Sequence, residues 1–161
     1  MAQACRVGGA LICDGEEETH TELASFLCRK GFGVDAAVEH IQAVWEPTPA
    51  PAWVTAVPSR NDDEHVTDLA RRIAAGLEVP YEPALRKVKS TDPQHELANS
   101  YQKRWNVEDA FEATAGVRSD PVLLVDETVN SRWTLTEAGL TLRDGGSGVV
   151  YPFALAERSK W

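Results

Sequence analysis

The chain has 161 residues, of which 43% are apolar and 25% charged, with 11 glycines and 9 prolines. These values are typical of one ordinary globular domain and exclude the disordered and fibrous classes. The formal net charge of −9 opposes tight nonspecific binding of nucleic acid by the chain as a whole.

The sequence predicts a cytoplasmic protein without membrane partners. No apolar run approaches the roughly 18 to 20 residues that span a bilayer, and the N-terminal stretch lacks the long apolar segment of a secretory signal. The cysteines Cys5, Cys13 and Cys28 contain no CxxC pair. They are interpreted as free thiols rather than as a disulfide framework or a metal site.

Residues 1–52 are predicted to form a small helical N-terminal lobe that ends in a proline-rich linker. Apolar residues at helical spacing indicate one helix between Thr21 and Gly31 and a second helix after Asp35. The run EPTPAPA at 46–52 stops the second helix, because proline lacks a backbone N–H and clashes with a continuing turn.

Residues 53–161 are predicted to form an α/β domain with a doubly wound, mainly parallel sheet, because strand and helix patterns alternate. Residues 86–106 contain few apolar side chains and are predicted to be a functional or mobile loop. The predicted elements are a strand at 53–57, a helix at 66–77, a strand at 122–125, a helix at 134–143 and a strand at 149–155.

The segment 122–135 is the most informative for chemistry. Its apolar strand is followed by Asp126 and Glu127, a polar turn and a helix. Ligands of open parallel sheets bind at the carboxyl ends of the strands. Adjacent carboxylates accept hydrogen bonds from vicinal hydroxyls, and a helix N-terminus suits a phosphate, so a ribose 5-phosphate group fits. The alternative is a pair of solvated carboxylates at a sheet edge.

This segment resembles the phosphoribosyl pyrophosphate motif of type I phosphoribosyltransferases. Residues 56–60 resemble the pyrophosphate loop of that family, and residues 94–111 resemble the flexible loop of its ComF-type members. The resemblance covers 53–161 and implies the type I phosphoribosyltransferase fold. The phosphoribosyl-site residues that it implies, as a vestigial site, are Ser59, Arg60, Asp126, Glu127, Asn130, Ser131, Arg132, Trp133 and Thr134.

The sequence departs from that family in the phosphate loop, where Arg132 and Trp133 stand at the usual glycine position. Glycine there lets the backbone approach a phosphate closely, so two bulky side chains would crowd it. Arg132 could instead supply a charge-assisted contact. Trp133 is either an exposed stacking platform or a core aromatic that fills the vacated site. Arg60 either contacts an anion or pairs with the acids at 62–64.

A more specific resemblance is to the phosphoribosyltransferase-like domain at the C-terminus of some actinobacterial RecQ-family DNA helicases. Residues 57–60, 124–136 and 150–156 carry it. It implies a non-catalytic accessory domain, with single-stranded or structured DNA and the helicase core of the same polypeptide as partners, acting in DNA repair or recombination. The chain contains no GxxxxGK[ST] loop, so the ATP-dependent motor is expected upstream in a longer protein.

Residues 86–104 form the one net-positive segment, with a balance of +3. Cations beside aromatic rings are typical of single-stranded nucleic-acid binding, although a solvated loop is the alternative. The candidate nucleic-acid-binding residues are Arg86, Lys87, Lys89, Tyr101, Lys103, Arg104 and Trp105.

Two other functions remain open. One is an active phosphoribosyltransferase that uses Mg²⁺ and phosphoribosyl pyrophosphate, whereas the accessory domain would need no cofactor. The other is a purely structural interaction module, which would pack on its neighbours through Trp45, Trp53 and Trp161.

Overall fold

The structure is a computed structural model, and it describes residues 4–7, 10–13, 33–58, 64–91, 99–129 and 132–157. Its strands are β1 Ala4–Val7, β2 Ala10–Cys13, β3 Trp53–Ala56, β4 Leu85–Lys87, β5 Phe111–Ala113, β6 Val122–Val129 and β7 Val150–Glu157. Its helices are α1 Val34–His40, α2 His65–Gly76, α3 Ser100–Val107 and α4 Trp133–Asp144, with a π-helical segment Ile41–Trp45 after α1. None of the helices in these ranges is long and apolar enough to cross a bilayer.

A parallel three-stranded sheet in the order β3, β6, β7 lies at the centre of the molecule. The residues Val122 to Val125 of β6 are fully buried, which confirms the predicted strand. Strand β6 continues to Val129, beyond its predicted end, and pairs there with β7 alone. The predicted strands at the beginning and end of the α/β region are likewise confirmed as β3 and β7.

Helices cover both faces of this sheet. On one face, α1 and α2 pack against a core that includes Leu123 and Phe153. On the other face, α4 packs against a core that includes Trp53 and Leu124. Neighbouring residues of a strand point to opposite faces, so a strand covered on both faces is apolar at nearly every position. The exception in β3 is the buried Thr55, whose hydroxyl accepts a hydrogen bond from the N–H of Ala84. The predicted doubly wound α/β architecture is therefore confirmed.

The winding of the chain reverses between β3 and β6. After β3, helix α2 leads to Tyr81, which forms an isolated parallel bridge with Val54. The backbone N–H of Val54 donates to Pro80 on that side, while β6 pairs along the other edge of β3. The chain later returns to β6, and α4 leads onward to β7. Such a reversal leaves a crevice at the carboxyl ends of the strands, where ligands of open α/β sheets bind.

The described residues of the N-terminal part include two short strands besides a helix. Helix α1 and the π-helical segment agree with the second predicted helix, but the short antiparallel hairpin of β1 and β2 was not predicted. Strands of only four residues give too few alternations for a pattern to be recognised. The predicted first helix lies outside the described residues.

The described part of the N-terminal region packs on the sheet. Val34, Ala37 and Ile41 belong to the same core as β3 and β6. The Tyr151 hydroxyl donates a hydrogen bond of 2.8 Å to the carbonyl of Pro49, which ties the proline-rich linker to β7. The division of the chain between residues 52 and 53 stays a prediction.

The loop predicted at 86–106 is wrong at both of its ends. Strand β4 pairs antiparallel with β5, and residues 100–107 form α3. The side-chain oxygen of Asn99 accepts a hydrogen bond of 2.9 Å from the backbone N–H of Gln102, which caps the start of α3. The sequence did not predict this helix because its residues are mostly polar and show no apolar periodicity. Val107 is its one buried side chain among those described. Residues 92–98 lie outside the described ranges.

Replacement of Leu124 by alanine should lower the free energy of unfolding by about 2 to 5 kcal/mol, because it leaves a cavity in a fully buried strand. Leu140 on α4 is 55% exposed, and its replacement by alanine should change stability by at most about 0.5 kcal/mol. Urea denaturation of both variants measures the difference. Equal losses in the two variants would contradict the placement of β6 at the centre.

Candidate functional site

The acidic pair lies inside β6, just past the end of β3. Ala56 pairs with Val125, so Asp126 is the first residue of β6 beyond the β3 pairing. The backbone N–H of Val57 donates to the carbonyl of Val125 at 2.9 Å, so the chain leaves β3 beside Asp126. Asp126 therefore lies at the predicted edge of the sheet, where the winding reverses, and Glu127 follows it on the opposite face of the strand. Ser59 and Arg60 of the predicted neighbouring loop lie outside the described residues.

Asp126 is half-buried, and its environment favours the neutral carboxylic acid. Burial raises the pKa of Asp126 from 3.8 to about 7, and the negative charge of Glu127 adds to this effect. Backbone N–H groups of Glu127 and Thr128 act in the opposite direction, the first through a 2.7 Å hydrogen bond to Oδ1. A carboxyl group that is partly neutral at pH 7 can donate a hydrogen bond as well as accept one.

Lys87 is the cation that the structure brings close to Asp126. Its positive charge lowers the pKa of Asp126 and so offsets part of the effect of burial. The ammonium also lies over the Phe111 ring, 5.9 Å from its centre. Lys87 was predicted as a nucleic-acid contact, and its position in β4 places it beside the acidic pair instead of on a separate loop.

The turn before α4 has an unusual backbone at the expected glycine position. Arg132 adopts φ 64° and ψ −11°, in the left-handed region that favours glycine. Its side chain is exposed and does not cap α4, while its carbonyl accepts hydrogen bonds from the N–H and the hydroxyl of Thr136. Thr134 is half-buried in the first turn. Asn130 and Ser131 lie outside the described residues.

Trp133 is half-buried and packs against the core beneath α4. This position agrees with a core aromatic and disfavours an exposed stacking platform. An indole at the first position of α4 occupies volume beside the turn that a glycine would leave open. Arg132 therefore has a backbone conformation that favours glycine, and two bulky side chains stand at this place.

Helix α3 lies against the first turns of α4. The guanidinium carbon of Arg104 lies 5.8 Å from the centre of the Trp133 ring. The backbone N–H of Asp109, just after α3, donates a 3.0 Å hydrogen bond to the Glu137 carboxylate. The structure thus brings residues predicted for the phosphoribosyl site next to residues predicted to bind nucleic acid. The latter lie in residues 86–105, called the basic aromatic segment below. Sequence spacing contains no signal for this contact, because 28 residues separate Asp109 from Glu137.

The remaining predicted nucleic-acid residues differ in their surroundings. Arg86 forms an ion pair with Glu112 across β4 and β5. The Lys89 ammonium donates to the carbonyls of Trp105 and Glu108, both at 3.0 Å, at the C-terminal end of α3. Tyr101 and Trp105 are exposed on α3. The side chain of Lys103 lies outside what the structure describes.

The described side chains include no cluster suited to a metal ion. Within the described ranges, no group of three or more His, Cys, Asp or Glu side chains could hold a metal ion. A cavity of about 340 Å³ lies near the proline-rich linker, and no predicted site residue is among those that line it. It is lined by Ile41, Gln42, Glu46, Pro47, Thr48, Ala50, Pro51 and Leu77.

Solved structures resemble this chain, although no protein-family model and no curated protein matches it. An adenine phosphoribosyltransferase aligns with a TM-score of 0.54 and 18% identity, covering 82% of this chain and 70% of that chain. The adenine phosphoribosyltransferase of Trypanosoma brucei, in complex with AMP, pyrophosphate and ribose-5-phosphate, aligns with a TM-score of 0.51 and 11% identity. That alignment covers 94% of this chain and 84% of the other. The chain therefore has the type I phosphoribosyltransferase fold.

The variant Asp126→Asn should be more stable than the wild type at pH 8. The raised pKa means that the folded state holds a proton that the unfolded state releases above pH 4, so wild-type stability falls as the pH rises towards about 7. Asparagine keeps the acceptor for the Glu127 N–H and has no charge to bury. Thermal melts between pH 4 and pH 8 measure the advantage, which should shrink as the pH falls.

The control Asp144→Asn removes an equal charge from an exposed residue at the end of α4. It separates the burial of Asp126 from the change in net charge. An advantage of Asp126→Asn that stays constant over this pH range would contradict the assignment.

Proposed function

We propose that this chain is a non-catalytic domain with the type I phosphoribosyltransferase fold, accessory to a RecQ-like ATP-dependent DNA helicase. In this proposal it binds DNA or packs on the helicase core of the same polypeptide and so modulates unwinding during DNA repair or recombination. The observation that carries the non-catalytic part is the turn before α4, where Arg132 takes a glycine-like conformation and Trp133 packs into the core.

The acidic pair also argues against binding of magnesium and phosphoribosyl pyrophosphate. A carboxyl group must be deprotonated to bind a metal cation, but burial favours the neutral form of Asp126 near pH 7. The phosphate end of the crevice carries an indole in place of an open glycine turn. The described residues therefore do not fit this cofactor pair.

The helicase context is supported by the residues that carry the resemblance. Arg132 and Trp133 distinguish the helicase-associated domain from active transferases, and these two residues have definite structural positions here: a left-handed turn and a core contact. Helix α3 packs on Trp133 through Arg104, so the altered turn also supports the basic aromatic segment. We infer that the fold has been adapted from a catalytic crevice to a scaffold for this segment.

The wild-type chain should bind Mg²⁺ and phosphoribosyl pyrophosphate weakly or not at all, because Arg132 and Trp133 stand at the glycine position of the turn and burial favours the neutral form of Asp126. Isothermal titration calorimetry near pH 7 measures this directly. A dissociation constant in the low micromolar range that is lost in Asp126→Asn would overturn the proposal and favour the active transferase. If the heat of binding is the same in the wild type and in Asp126→Asn, the ligand binds elsewhere on the chain.

Removal of this domain from a helicase polypeptide that contains it should change the rate of duplex unwinding while the motor still hydrolyses ATP. A strand-displacement assay beside a DNA-stimulated ATPase assay separates the two effects. If unwinding and ATP hydrolysis are both unchanged, the domain does not modulate the motor, and the purely structural module replaces this proposal.

A further inference from the structure

Two aromatic side chains lie exposed next to each other on α3. Tyr101 is 68% exposed and Trp105 is 59% exposed, and their ring centres are 5.7 Å apart at an interplanar angle of 31°. They are four residues apart and so share one face of the helix. Indole and phenol rings have large apolar areas that proteins usually bury. This pair, called the α3 aromatic face below, is therefore an aromatic surface that is open to a partner.

We propose that the α3 aromatic face binds single-stranded DNA by stacking unpaired bases on Tyr101 and Trp105. This inference rests on the proposed function, in which DNA is a partner, and it names the surface and the chemistry of recognition. Two neighbouring rings offer π faces to any base, so stacking on them tolerates different sequences. The expected ligand is thus a single strand of any sequence.

The residues between the two rings favour a polynucleotide over a protein. Arg104, three residues after Tyr101 and next to Trp105, is exposed on the same helix, so a cation accompanies the two rings. A helix that docks in a groove of a protein partner also presents apolar residues at i and i+4, so the accompanying cation, and not the spacing of the rings, favours a polynucleotide. Rings interleaved with cations are the combination that single-stranded nucleic-acid binders use.

The charges around this face predict weak binding with a modest salt dependence. The segment 86–104 is net positive within a chain of charge −9, so attraction of phosphate is confined to this region. Arg86 is paired with Glu112, Lys87 lies near Asp126, and Lys89 donates to helix carbonyls. Arg104 is exposed beside the rings and is the best-placed phosphate contact among the described side chains. Stacking must therefore supply much of the affinity.

Contacts outside the aromatic face hold α3 in place before any DNA binds. Lys89, just after β4, donates a hydrogen bond to the C-terminal end of α3. The hydrogen bond from Asp109 to Glu137 connects the same end of α3 to α4. Arg104 adds the contact with Trp133. A helix that is already positioned loses little conformational freedom on binding, which favours association.

The decisive variant is Trp105→Ala in the full chain, tested by fluorescence anisotropy with labelled oligothymidylate over a range of salt concentrations. Loss of one stacking ring should weaken binding about 5- to 100-fold and leave the slope of log affinity against log salt nearly unchanged. Trp105→Phe keeps a ring and should restore most of the affinity. Arg104→Gln should instead reduce the slope by about one.

The matched control is Leu140→Ala, which removes an exposed apolar side chain from α4 and should not affect binding. Circular dichroism melts confirm that each variant is folded. Unchanged affinity in both Tyr101→Ala and Trp105→Ala overturns the inference, as does equal affinity for the matched duplex. Absence of wild-type binding at low salt overturns it as well. The cofactor titration and the unwinding assay do not depend on this face, so they test the proposed function separately.

Discussion

Strand β6 is covered by helices on both faces and paired with strands along both edges, and this double burial constrains the rest of the molecule. Val122 to Val125 have to be apolar without interruption, because no position of this segment faces water. Polar residues can follow only where β3 has ended, and Asp126 is the first residue at that point. The position of the candidate site is thus a direct consequence of where the core strand loses one of its neighbours.

The parts of the fold that could be predicted are those with long apolar patterns. Strand β6 and helices α2 and α4 carry such patterns, and each agrees with the structure to within a few residues. Helix α3 could not be predicted in this way, because it buries little and depends on the Asn99 cap and on contacts with distant residues. The β1–β2 hairpin is too short for its alternation to be recognised.

The candidate site was predicted in its components but not in its assembly. The acidic pair and the bulky residues at the glycine position are visible in the sequence, and the left-handed backbone at Arg132 agrees with that interpretation. The neutral tendency of Asp126 could not be foreseen, because it depends on burial in the folded state. The meeting of Lys87 with Asp126 and of Arg104 with Trp133 arises from packing of β4 and α3 on the α4 face of the sheet.

Three of the described contacts that hold α3 come from residues outside the stretch 92–98 that precedes it. Lys89, Glu137 and Trp133 belong to or border β4 and α4, which are themselves fixed by the core. Insertions or deletions between residues 91 and 99 would therefore change the length of that connection without changing where α3 lies. Related chains can therefore differ in the length of this loop and still have the aromatic face at the same place on the molecule. Alignments of such chains should be anchored on the Asn99 cap and on Lys89, not on the distance between them.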